Sequence, residues 1–109
     1  MLRLSPSTRI FIATEPTSMS VSFDALAARA REVIRRDPLS GHLFVFRNRR
    51  GHRLKVLFWD GNGFVVYYKR LERGTFRFPA LRGRSLEIRP DELTLLLAGL
   101  RPDRRLLAT

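Results

Sequence analysis

The chain has 109 residues, 44% of them hydrophobic, no cysteine, and 21 Lys and Arg against 10 Asp and Glu, for a formal net charge of +11. That length suits a single domain, residues 1–109, and the apolar and aromatic content is far above that of a disordered basic tail. Disulfides, thiolate nucleophiles and Cys-ligated zinc are excluded, and the longest stretch free of charged side chains, Pro38 to Phe46, is well short of the about 20 apolar residues of a membrane span.

Arg9 to Ala13, β-branched and aromatic between Pro6 and Pro16, predicts a first strand. From Phe23 the apolar residues fall at 23, 26, 27, 30, 33 and 34, the spacing of one helix face, with Ser22 as N-cap, Asp24 at the positive end and Arg35-Arg36 at the negative end. Pro38 disfavours helical geometry at Asp37, so this helix is expected to run from 23 to 37. His42 to Arg47, Arg53 to Trp59, Phe64 to Arg70 and Thr75 to Phe78 read as four strands of a meander, separated by turns at Asn48-Arg49-Arg50-Gly51, Asp60-Gly61-Asn62-Gly63 and Glu72-Arg73-Gly74. Ser85 to Ile88 predicts a last strand, and Pro90-Asp91-Glu92 opens a second helix that Gly99 and Pro102 end. The expected fold is therefore α+β, an antiparallel meander of about five to six strands with helices over 23–37 and 90–99. The ends, 1–8 and 101–109, are expected to be flexible. The first residues lack the apolar core of a secretory signal, which points to the cytoplasm and to no membrane partner.

The charge is concentrated. Residues 47–89 carry +9 of the +11, from twelve basic and three acidic groups. In a meander, Arg49 and Arg50 share an end with Arg70 and Arg73, opposite the Asp60 turn. Alternation places Arg53 and Lys55 on one strand face, opposite Leu54, Val56 and Phe58, and opposes Arg77 to Phe76 and Phe78. A sheet face bearing arginines and aromatic rings is a platform for nucleic acid, since guanidinium groups take phosphates bidentately and bases stack on rings. The ordinary fates of such residues, solvated strand faces and core rings, compete with this reading. So does a coding bias towards arginine, 19 against two lysines, although that bias does not explain the shortage of acids.

Catalytic chemistry finds little support. Asp60, Glu72 and Glu87 would be the carboxylates of a two-magnesium nuclease, but one lies in a Gly-Asn-Gly turn, one between two arginines and one on an edge strand. His42 and His52 lack metal-ligand spacing and a third ligand. Tyr67 or Tyr68 as a nucleophile on DNA would need a base or metal, and no Gly-rich phosphate loop is present. No catalytic residue, metal or cofactor is assigned.

The segment Asp37-Pro38-Leu39-Ser40-Gly41-His42-Leu43-Phe44-Val45-Phe46, then Asn48-Arg49-Arg50, Lys55, Leu57, Trp59-Asp60-Gly61, Gly63 and Tyr68-Lys69-Arg70-Leu71-Glu72-Arg73-Gly74 with Phe76 and Pro79, resembles the accessory protein of insertion sequence 66 elements. That protein is the product of their second open reading frame, TnpB, unrelated to the RNA-guided nuclease of the same name. The resemblance extends through Phe23 to Ala27 and into Leu93 to Leu100; Ala25 stands where glycine is expected and Phe78 where tryptophan is common. It implies a role in bacterial DNA transposition beside a separately encoded transposase that cuts and joins. The leading expectation is a non-enzymatic DNA-binding module that helps assemble the transposition complex on element ends, with Arg47, Arg49, Arg50, Arg53, Lys55, Lys69, Arg70, Arg73 and Arg77 as phosphate contacts. The alternative is an adaptor docking on the transposase or other element-encoded proteins through Leu93, Leu96, Leu97 and Leu100 or an open sheet edge. A third, a DNA-acting enzyme, would depend on Asp60 or Tyr68.

Overall fold

The computed structural model describes residues 5–100. Of the ends expected to be flexible, 1–8 and 101–109, residues 1–4 and 101–109 lie outside the described residues, while 5–8 form a turn in which Thr8 N–H donates to Ser5 O at 3.0 Å. Five strands form one mixed sheet: β1 (Ile10–Ala13), β2 (Leu43–Arg47), β3 (Arg53–Trp59), β4 (Phe64–Arg70) and β5 (Ser85–Ile88), in the spatial order β4-β3-β2-β1-β5. Two helices, α1 (Phe23–Arg29, continued by a wider π turn over Ala30–Ile34) and α2 (Pro90–Leu97), complete an α+β fold. The strands are mostly antiparallel, as the turn chemistry between β2, β3 and β4 requires. The exception is β1, which runs parallel to β2 because α1 carries the chain back between them.

The sheet is covered on both faces, and strand alternation decides which residue meets which cover. Ile10, Ile12, Leu43, Val45, Leu54 and Val56 face α2, where Leu93 and Leu96 are buried against them. Phe11, Ala13, Phe44, Phe46 and Leu57 face α1, packing on Leu26, Ala27, Ala30 and Ile34. The near-continuous apolar run of β2 follows from this double burial.

Three expectations are corrected. The fourth meander strand does not form: Thr75–Phe78 has no strand partner, and Phe76 is instead a core residue, 4% exposed, on the α2 side of the sheet. Its apolar alternation is real but serves a plug. Leu71 N–H donates to His52 O and Phe76 N–H to Gly51 O, which draws this segment across the β2–β3 turn and leaves β4 as the sheet edge. The first helix ends at Ile34, before the proline acts, because Arg35 adopts the left-handed region (φ 64°) and Arg36 N–H closes on Ala30 O. The apolar face of α2 is core, so the adaptor reading loses Leu93 and Leu96 as docking residues; Leu100 alone of that group is exposed.

At the start of α2, Pro90 occupies the first turn and the buried Glu92 carboxylate accepts the Arg89 N–H at 2.9 Å. At its other end Lys69 donates to Leu97 O at 2.7 Å, placing a cation at the negative pole of the helix.

Arg35 is the sole described non-glycine residue with positive φ. Arg35→Gly should therefore raise stability by about 0.5–1 kcal/mol while Arg35→Ala does not, as read from paired denaturant melts. Phe76→Ala should cost about 3 kcal/mol by the same measurement, a core penalty that a surface strand would not carry.

Candidate functional site

The β2–β3 turn is built by Asn48. Its Oδ1 accepts the N–H groups of Gly51 and Arg53, both at 3.0 Å, and Gly51 supplies the positive φ of 78° that closes the turn. With Oδ1 occupied as acceptor, the Asn48 amide Nδ2 is the donor in its 3.0 Å contact with His52 Nδ1. His52 thus accepts at Nδ1, which fixes it as the neutral imidazole with its proton on Nε2.

The turn lies at the end of the sheet where β4 finishes. Register puts Arg53 directly opposite Arg70 and Lys55 opposite Tyr68, while Trp59 and Phe64 pair at the far end beside the Asp60 turn. Two like charges in register on neighbouring strands are unfavourable on their own. Here Arg50 adds a third, and one carboxylate, Glu72, answers Arg70 at 3.0 Å in an exposed ion pair. Arg49, Arg50, Arg53 and Arg73 have no carboxylate within ion-pair distance among the described residues. Arg53 donates to the Tyr68 hydroxyl at 3.3 Å, and its Nε is buried with no partner among the described residues.

The local field is visible on His52. Burial, then the charges of Arg50, Arg53 and Arg70, hold its imidazole below the ordinary histidine range. Two shallow depressions open here and share Arg53 as a wall. One, about 530 Å³, runs from the Ser18–Ser20 loop past Arg50 and His52; the other, about 380 Å³, lies between Arg53, Tyr68, Arg70 and Glu72.

Not every basic residue of the meander belongs to this site. Lys55 is buried, 7% exposed, and donates to the carbonyls of Met19 and Val21 at 2.8 and 2.7 Å. Arg47 donates to Thr14 O at 2.6 Å and lies over the Phe78 ring, and Lys69 caps α2. These three hold the fold together. Arg77 is exposed on the return loop and Arg73 on the segment that docks against the β2–β3 turn. The structure therefore gathers the uncompensated arginines at one end of the sheet rather than across a face, since both faces of β1, β2 and β3 are largely covered.

The three carboxylates considered for a metal are dispersed. Asp60 caps its own turn by accepting from Asn62 and Gly63, Glu72 pairs with Arg70 at the opposite end, and Glu87 on β5 takes a two-point contact from Arg9. Among the described residues no group of three possible metal ligands occurs, and no helix is long and apolar enough to cross a membrane.

The site's sequence context matches a known family. The family described as IS66 Orf2-like protein covers residues 8–106, which includes all of β1 to α2 and the basic end. The chain belongs to the IS66 Orf2-like family. Its role is accordingly that of a transposition accessory protein. The chain is also similar to two Sinorhizobium fredii (strain NBRC 101917 / NGR234) proteins, uncharacterized protein y4hO, at 44% identity over 92% of this chain and 87% of that protein, and uncharacterized protein y4jC, at 38% identity over 92% and 86%. No solved structure matches this IS66 Orf2-like chain.

His52 supplies a test of the field. Its folded-state pKa lies below the unfolded value, so the unfolded chain takes up the proton first as pH falls. Its contribution is intact above about pH 6.5 and is lost on acidification from there towards the lowered folded value. NMR titration should place the His52 midpoint below that of a model imidazole, Arg50→Ala should raise it, and His52→Gln should remove this part of the stability loss between pH 7 and 5.5.

Proposed function

We propose that this IS66 Orf2-like protein acts in transposition without catalysis, binding DNA through its basic end and so helping to assemble the transposase complex on the element. The observation that carries this reading is the in-register Arg53–Arg70 pair beside Arg50, a concentration of positive charge with a single carboxylate in contact. Such an arrangement gains stability when phosphates enter it, and guanidinium groups suit their geometry. The contacts proposed are Arg49, Arg50, Arg53, Arg70 and Arg73, with Arg77 at the periphery. They address the backbone, so they give affinity and position but no base readout.

A second reading, an adaptor for the transposase or another element-encoded protein, is favoured by the outer edge of β4. Along Phe64–Arg70 no backbone group on that side has a backbone partner among the described residues, the condition for strand addition. A pull-down with the transposase, with and without nuclease, separates the readings: a complex that survives nuclease favours the edge, and one that is lost favours DNA.

If five arginines each neutralise one phosphate, the log-log salt dependence of duplex binding should have a slope near −4.5, roughly one unit shallower for each Arg→Ala change. Bound phosphates should also lift the His52 midpoint back towards its ordinary value, because they offset the charges that depress it. A slope near zero, or an unchanged His52 on adding DNA, would overturn the proposal.

A further inference from the structure

Tyr68 is 48% exposed on the edge strand β4, whose other residues are mostly half-buried. Its ring is fixed from beneath and from its tip. Lys55 Nζ sits 4.7 Å from the ring centroid, and Arg53 donates to the hydroxyl at 3.3 Å. Lys55 in turn cannot swing away, since its ammonium group is buried and holds two backbone carbonyls. The result is an aromatic surface with one face on a locked cation and the other turned to solvent. Arg53 and Arg70 line the same depression as the ring, and Arg50 lines the one beside it.

This geometry goes beyond phosphate binding. A ring that is immobilised in advance loses little rotamer freedom when a planar group stacks on it, and every nucleobase has a face to offer. In an ideal duplex the base faces are already stacked on one another, and a single ring on a sheet surface cannot reach them. An unpaired nucleotide can place its base on Tyr68 while its flanking phosphates meet Arg53 and Arg70 on one side and Arg50 on the other. We propose that Tyr68 is a stacking platform for one unpaired base, so that the basic end takes single-stranded DNA in preference to intact duplex. This inference rests on the reading of the basic end as a DNA-binding surface.

The test uses the full chain and fluorescence anisotropy with a short mixed-sequence DNA strand, the same strand annealed to its complement, and an RNA strand of the same sequence, at one moderate salt concentration. Wild type is expected to bind the single DNA strand more tightly than the duplex. Tyr68→Ala should weaken single-strand binding roughly tenfold, the range for one stacked base, and change duplex binding by less than about twofold. Tyr68→Phe should keep the preference and Tyr68→Leu, which retains apolar bulk without a π face, should lose it; melting curves identify any variant that fails to fold, and Tyr68→Leu then stands in for Tyr68→Ala. Equal weakening of both DNA forms would mean that Tyr68 only positions Arg53, and no weakening of either would mean that no base stacks; both overturn the inference. Tighter binding of the RNA strand would overturn its assignment to DNA. If duplex binding still depends on Arg50, Arg53 and Arg70 in those cases, the DNA-binding reading stands alone, whereas absence of binding to all three ligands would remove both.

Discussion

A sheet buried on both faces has only its ends and edges left for polar business, and that constraint organises this molecule. Apolar residues alternate to both sides of β1, β2 and β3 because α1 and its π turn close one face while α2 and the Phe76 segment close the other. Charged side chains that begin on those strands must then either reach a rim or find partners inside. Arg53 and Arg70 reach the rim. Lys55, one step further in, finds two carbonyls and a ring, and Arg47 finds Thr14 O.

The buried lysine shows how such a constraint is met. Desolvating an ammonium group is costly unless its donors are satisfied, and Lys55 meets that cost with the carbonyls of Met19 and Val21. Those carbonyls belong to the irregular segment leading into α1, so the same contact anchors a loop that has no ladder of its own. It also places a fixed positive charge under Tyr68. One interaction thus links the helix entry, the loop and the aromatic surface. The basic end is in this sense a product of packing as much as of composition.

Much of this was legible in the residues. The strands show in β-branched, aromatic or alternating runs, the first helix in its 3.6-residue apolar spacing, the second in its Pro90-Asp91-Glu92 start and Gly99, and the turns in Asn48, Gly51, Asp60 and Gly63. The shared end of Arg49, Arg50 and Arg70 follows from hairpin geometry alone. What could not be read was long-range. Thr75 to Phe78 has the alternation of a strand, and only the tertiary space over the sheet makes Phe76 a plug. Arg35 carries no mark of a left-handed conformation, a role usually taken by glycine or asparagine. Lys55 and Lys69 look like any surface lysine in a basic segment, because nothing local records that a distant carbonyl will arrive beside them. His52 was a turn residue until Arg53 and Arg70 were brought into register around it. Asn48 did carry a signal, since an Asn three residues before a Gly is a common turn-builder.

The order of the strands has a consequence for how the chain assembles. The segment β2–β3–β4 consists of two consecutive hairpins and can form as soon as those residues are available. β1, in contrast, finds its partners far along the chain: Ile10 pairs with Leu43 and Ile12 with Leu86. This interior strand is therefore completed only after the return segment has brought β5 to its outer side. Pairings of such sequence separation carry a large loop-closure cost and slow folding. The basic end thus lies on the part of the sheet held by neighbouring hairpins, whereas Phe11 and its strand depend on pairings distant in sequence.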